Sequence, residues 1–135
     1  MIHHFSIVPS IGVDHALARI LDRAHEDPWI LHLNPAPVHY LVFCVSLDHV
    51  QDVRKRYKDA GGSVDTEVAV LEIDPNGIHV DQDCEPASRR RMEQFVRWIF
   101  ETWAPCKVLD HDAERDLSLL ASRNPDVLFE GDPEP

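Results

Sequence analysis

Apolar side chains recur with helical spacing in three long segments of the chain. Between residues 13 and 26 they return every three or four positions, and Pro28 ends the pattern. A second stripe follows Ser46, a residue type that caps helices, and it stops at a pair of glycines. The third covers residues 86 to 104 and has the broadest apolar face. The pattern predicts three amphipathic helices, with a shorter fourth before Pro125.

Strand patterns lie between these helices. Residues 38 to 45 are apolar on both alternating faces, which is typical of a central strand covered on both sides. Residues 2 to 8 form a shorter predicted strand. After residue 63 two extended runs flank "DPNG", in which Pro75 and Gly77 suit the special positions of a tight turn. This segment predicts an antiparallel hairpin.

The order of these elements is typical of an α+β fold. We expect a mixed or antiparallel sheet covered by helices, a single pair of layers in the manner of a ferredoxin-like sandwich. The short apolar runs "WILHL" and "PCKVL" would add strands to it. The 135 residues are the length of one domain. We therefore expect a single domain over residues 1 to 130 and a loose acidic tail over residues 131 to 135.

The charge narrows the range of partners. The chain has 13 basic and 24 acidic residues, a formal net charge of −11. Such a field repels phosphate backbones and anionic lipids, so neither nucleic acid nor a membrane is an expected partner. The three cysteines include no C-x-x-C pair, and the first residues lack the pattern of a signal peptide. These features favour a reducing, cytoplasmic location.

The second strand of the predicted hairpin carries a polar stripe. Ile78 and Val80 alternate with His79 and Asp81, and alternate side chains of a strand share a face. Asp83 continues the polar series. Two interpretations stay open. The stripe is either the solvent-exposed face of a hairpin at the edge of the sheet, or a functional site.

The segment "HYLVFCVSLDHVQDVRKRYKDAGGSV", followed by "EIDPNGIHVD", resembles one module of the vicinal oxygen chelate superfamily, the fold of glyoxalases and extradiol dioxygenases. The resemblance covers residues 39 to about 82. It implies a metal-dependent enzyme in which His39 and Asp81 bind a divalent metal ion and His4 or His3 is the third ligand. Imidazole and carboxylate ligands together suit a divalent metal that keeps open positions for an oxygen substrate.

The third helix begins with consecutive arginines, Arg89 to Arg91, at the helix end where the dipole disfavours cations. Two interpretations are again open. The arginines form ion pairs with the preceding acids Asp81, Asp83 and Glu85, or they form an anion-binding patch.

The sequence contains neither a G-x-S-x-G nucleophile motif nor a P-loop. A binding protein that needs no cofactor is therefore a better hypothesis than an enzyme. We expect a small acidic inhibitor or regulator of a basic protein partner, comparable to the immunity protein of a bacterial toxin. Its expected partner-binding residues are seven acids and one aromatic anchor: Asp81, Asp83, Glu85, Asp110, Asp112, Glu114, Asp116 and Trp98.

Overall fold

Helices pack on one seven-stranded sheet in the computed structural model, which describes residues 2–62 and 67–129. The elements in chain order are β1 (His4–Val8), α1 (Val13–His25), β2 (Ile30–Leu33), β3 (His39–Phe43), α2 (Leu47–Asp59), β4 (Ala69–Asp74), β5 (Gly77–Asp81), α3 (Pro86–Trp103), β6 (Lys107–Asp110), β7 (Arg115–Asp116) and α4 (Ser118–Arg123). A 3₁₀ turn follows at Pro125–Leu128. The predicted α+β class is confirmed. The predicted tail, residues 131–135, lies outside the described residues.

The strands lie in the order β2-β3-β4-β5-β1-β6-β7, and each neighbouring pair is antiparallel. The predicted β4–β5 hairpin is confirmed. It does not lie at an edge, however, because β1 is paired with both β5 and β6. Ser6 stands opposite His79 on one side and Leu109 on the other. The polar stripe of the hairpin therefore lies at the middle of the sheet.

The DPNG turn is held by its aspartate. The carboxylate of Asp74 accepts hydrogen bonds from the backbone N–H groups of Asn76 and Gly77, at 2.7 and 3.1 Å. A glycine at this position of a turn suits a positive φ, but Gly77 does not adopt one. A Cβ atom at this position would lie 3.3 Å from the carbonyl oxygen of Ile7, so the glycine serves the close approach of β1 instead.

Two hydrophobic clusters cover the sheet unequally. The larger cluster joins α1, α3 and α4 to one face, where Phe5, Ile7 and Ile78 are fully buried. The smaller one places α2 against the other face of β2 and β3, through Val50 and Val53. β3 is thus covered on both sides as predicted, although β5 occupies the middle of the sheet. Burying these apolar faces is the main force that holds the layers together.

The second face of β5, β1 and β6 is mostly polar, although the apolar Leu109 is also 37% exposed there. Among the described residues no helix belongs to a hydrophobic cluster on this side of those strands. His4 and Asp81 are exposed and His79 is half-buried. No helix in the described segments combines the length and the apolar character needed to cross a membrane.

Candidate functional site

The uncovered side of β5, β1 and β6 gathers histidines and carboxylates, and we call it the open face. Antiparallel pairing places His4 opposite Asp81 and Ser6 opposite His79. The segments after the strands extend the surface with further polar groups. The open face consists of His4, Ser6, Asp74, His79, Asp81, Asp83, His111 and Asp112.

At one end of the open face, His4 lies between two carboxylates. Its Nδ1 is 3.0 Å from Oδ1 of Asp112, and its Nε2 is 3.3 Å from Oδ1 of Asp81. The backbone N–H of His4 also donates to Asp112, at 3.0 Å. The hydrogen bond to Asp112 raises the pKa of His4 against the opposing effect of burial, and the charge of Asp81 adds to the rise. The same bond lowers the pKa of Asp112.

Asp83 completes this end of the face. Its Oδ1 is 2.6 Å from Nδ1 of His3, and its backbone N–H donates to Oδ1 of Asp81 at 2.8 Å. One side-chain ligand atom from each of His4, Asp81 and Asp83 lies within 4.8 Å of the others. Of the described residues, these are the ones grouped closely enough to hold a metal ion.

Farther along the open face are two more polar pairs. Nε2 of His79 is 2.9 Å from Oδ2 of Asp74, and Nε2 of His111 is 2.9 Å from Oγ of Ser6. The two imidazole centroids are 6.4 Å apart. Burial opposes ionisation of Asp74, but the hydrogen bonds from His79 and the turn amides outweigh it and lower its pKa. Alternation along β1 could have indicated that Ser6 shares a face with His4.

The structure brings together three of the predicted partner-binding acids, Asp81, Asp83 and Asp112. Glu85 is also exposed, but its carboxylate caps α3 by accepting hydrogen bonds from two backbone N–H groups. Glu114 and Asp116 are exposed beyond β6, and Asp116 accepts a hydrogen bond from the amide of Ser118.

Two of the predicted partner-binding residues do not belong to this surface. Asp110 is only 4% exposed, because its carboxylate accepts hydrogen bonds from the amides of Asp112 and Ala113 and from Arg115. Trp98 lies on α3 on the other side of the sheet, packed against the larger cluster. The structure therefore does not bring Asp110 or Trp98 together with the hairpin acids, and their role in partner binding stays a prediction.

The metal site implied by the vicinal oxygen chelate resemblance does not assemble. His39 pairs with Ile73 and shares the helix-covered face with Leu41, whereas His4 and Asp81 lie on the open face. Three strand spacings of about 4.8 Å also separate β3 from β1, on the order of 14 Å. One ion cannot bind all three side chains.

His39 instead ends a chain of hydrogen-bonded imidazoles. Nε2 of His25 is 2.9 Å from Nδ1 of His32, and Nε2 of His32 is 2.9 Å from Nδ1 of His39. The chain links the end of α1 to β2 and β3. Burial lowers the pKa of His32, and the charges of its two histidine neighbours lower it further.

We expect the three hydrogen-bonded imidazoles to make the protein less stable in mild acid. The contribution of His32 to stability is complete above its ordinary pKa of 6.5 and is lost as the pH falls below that value, because the unfolded state then binds the proton more readily. Chemical unfolding at pH 7.5 and 5.5 should show a smaller loss of stability for His32→Phe than for the wild type. His15→Phe, at an exposed position on α1, should keep the wild-type loss. An unchanged pH dependence in His32→Phe would contradict the prediction.

The arginines at the start of α3 are engaged within the protein. Arg91 donates to Asp27 at 2.7 Å and to the carbonyl oxygen of Cys44 at 2.8 Å. Arg89 lies 3.7 Å from Glu93. These two arginines therefore form ion pairs, but with Glu93 and Asp27 and not with the hairpin acids that the sequence suggested.

Comparisons of the chain with models of protein families, with curated proteins and with solved structures find no match. The geometry of the open face is therefore the basis for proposing a function.

Proposed function

We propose that this chain is a small acidic binding protein that inhibits or regulates a basic protein partner, and that the open face meets that partner. One observation carries the proposal. Asp81, Asp83 and Asp112 converge at one end of the face with 52%, 55% and 47% of their side chains exposed. In the described part of the chain their ion pairs are with histidines and not with lysine or arginine.

The identity of those ion-pair partners matters for the electrostatics. Even with both imidazoles protonated, Asp81, Asp83 and Asp112 carry one negative charge more than His3 and His4 can compensate. The formal net charge of −11 adds to the local field. Negative potential of this kind accelerates association with a basic surface and selects against acidic competitors.

The shape of the surface also supports protein binding. Because β5, β1 and β6 lie side by side, their uncovered side chains form a continuous face rather than a single protruding loop. An inhibitor of the immunity type would place Asp81, Asp83 and Asp112 against the cationic residues of the partner's catalytic cleft. Catalysis would stop because the cleft is filled.

Charge reversal on the open face tests this proposal. We expect Asp81→Lys/Asp112→Lys to lower the affinity for the partner by about 100-fold or more, since close charge pairs across an interface are worth several kcal/mol. The partner would first be captured from a lysate of the source organism and then purified. Its affinity would be measured by calorimetry in buffer containing EDTA.

The matched control reverses two exposed acids elsewhere, Asp22→Lys/Asp59→Lys on α1 and α2. It changes the net charge by the same amount, so we expect less than about a threefold loss if the open face is the interface. Equal losses in both variants, or unchanged binding in the open-face variant, would contradict the proposal.

A further inference from the structure

We propose that the acidic end of the open face binds one divalent transition-metal ion, with His4, Asp81 and Asp83 as its ligands. This inference goes beyond the proposed function and does not depend on it. It also differs from the ligand set implied by the sequence resemblance, because Asp83 takes the place of His39.

The separation of the ligand atoms fits a metal ion. A tetrahedral ion with bonds of about 2.0–2.1 Å holds its ligand atoms about 3.3–3.4 Å apart. Nε2 of His4 and Oδ1 of Asp81 are already 3.3 Å apart, and one ligand atom from each of His4, Asp81 and Asp83 lies within 4.8 Å of the others. The three atoms are therefore at most about 1.5 Å farther apart than tetrahedral coordination requires.

The hydrogen bond between His4 and Asp112 orients the imidazole for this role. An ionised carboxylate can only accept, so Nδ1 of His4 carries the proton that it shares with Asp112. In the neutral ring the lone pair then lies on Nε2, which faces Asp81. A carboxylate behind the imidazole is the usual arrangement around metal-binding histidines.

The two carboxylate ligands are held in a similar way. Nδ1 of His3 is 2.6 Å from Asp83, and the backbone N–H of Asp83 donates to Asp81. These contacts lie beside the ligand set, and the half-exposed side chains leave a further coordination position open to solvent.

The donor set selects the class of metal. One imidazole with two carboxylates suits ions such as Zn²⁺, Fe²⁺ or Mn²⁺, whereas Mg²⁺ and Ca²⁺ prefer sites built from oxygen alone. Zn²⁺ is the best first probe, because it binds N and O ligands more tightly than Mn²⁺ and has no redox chemistry.

Calorimetric titration of the untagged, chelator-treated protein tests the site. We expect one equivalent of Zn²⁺ to bind and Mg²⁺ in tenfold excess not to displace it. His4→Ala and Asp81→Asn should each weaken Zn²⁺ binding at least about 10-fold, and Asp112→Asn, which changes only the orienting carboxylate, by about 10- to 100-fold.

Two histidine variants serve as matched controls. His79 has a carboxylate partner on the same face, and His32 belongs to the imidazole chain on the other side of the sheet. Neither His79→Ala nor His32→Ala should change the Zn²⁺ affinity more than about twofold. Circular dichroism would show that each variant is folded, and Asp83→Asn would replace any variant that is not.

Absence of Zn²⁺ binding up to millimolar concentration would overturn the proposal, and so would full affinity in His4→Ala. Because the titration contains no partner and the partner assay contains EDTA, this inference and the proposed function can fail separately.

Discussion

Replacement of Ser88 by alanine is expected to lower the free energy of unfolding by about 2–4 kcal/mol, although it removes a single oxygen atom. Ser88 is fully buried at the start of α3. Its Oγ donates to the carbonyl oxygen of Phe43 at 2.5 Å and accepts from the backbone N–H of Ala69 at 2.8 Å. Without the hydroxyl, two backbone groups at the ends of β3 and β4 would stay buried and unpaired, which is why the loss is large.

Urea unfolding followed by tryptophan fluorescence measures this effect. The matched control is Ser122→Ala, because Ser122 also lies in a helix and donates to a carbonyl oxygen, that of Ser118, but is exposed. Water can replace that bond, so we expect a change below about 0.5 kcal/mol. Similar losses in the two variants would show that Ser88 does not act by satisfying buried backbone groups.

Replacement of Asp110 by alanine is expected to cost about 2–3 kcal/mol of stability at neutral pH, since hydrogen bonds to a buried charged group are among the stronger ones. The carboxylate accepts from the amides of Asp112 and Ala113 at 3.0 and 3.2 Å, and from Nε of Arg115 at 3.1 Å. These bonds hold the turn that places Asp112 beside His4. The variant should therefore also weaken the orientation of His4 on the open face.

The pH dependence of this loss gives an additional check. Burial opposes ionisation of Asp110, but its hydrogen bonds outweigh burial and lower its pKa below the ordinary value of 3.8. A lowered carboxyl pKa stabilises the fold fully above the unfolded pKa, and this stability is lost as the pH falls through the folded pKa. The difference between wild type and Asp110→Ala, measured by chemical unfolding, should thus be constant from pH 5 to 7 and shrink below pH 4.

The variant Asp110→Asn separates the contribution of the hydrogen bonds to the turn amides from that of the negative charge. Its amide oxygen can still accept from the two backbone N–H groups, whereas the attraction to Arg115 is lost, so we expect an intermediate loss. Arg115 is 58% exposed, which limits what that attraction contributes. A loss in Asp110→Asn as large as in Asp110→Ala would contradict the assignment to the turn amides.

Much of the local structure could be predicted from the sequence. The helix predicted over residues 13 to 26 is Val13–His25, and the one over residues 86 to 104 is Pro86–Trp103. Helical periodicity and the residues that end a helix act over a few neighbouring positions, so the chain shows them directly. The same holds for the β4–β5 hairpin, whose turn sequence joins two adjacent runs.

The candidate site could be predicted only in part. Alternation along β5 indicated that His79 and Asp81 share a face, and this is confirmed. No pattern in the sequence indicated that Asp110 is buried, because the residues that follow it are as polar as those of an exposed turn. The sequence also did not indicate that His39 lies on the opposite side of the sheet from the open face. A resemblance in sequence does not specify which face of a strand packs against the helices.

By itself the sequence determined the helices, the hairpin, the acidic charge and which side chains share a strand face, since each depends on residues near one another in the chain. Only the tertiary structure decided that β1 inserts between β5 and β6 and so brings His4 to Asp81 and Asp112. Which strands become neighbours in the sheet depends on how much apolar surface the packed elements can bury together. This brings together segments that are far apart in the sequence, and the residues of one segment do not indicate which other segment it will pair with.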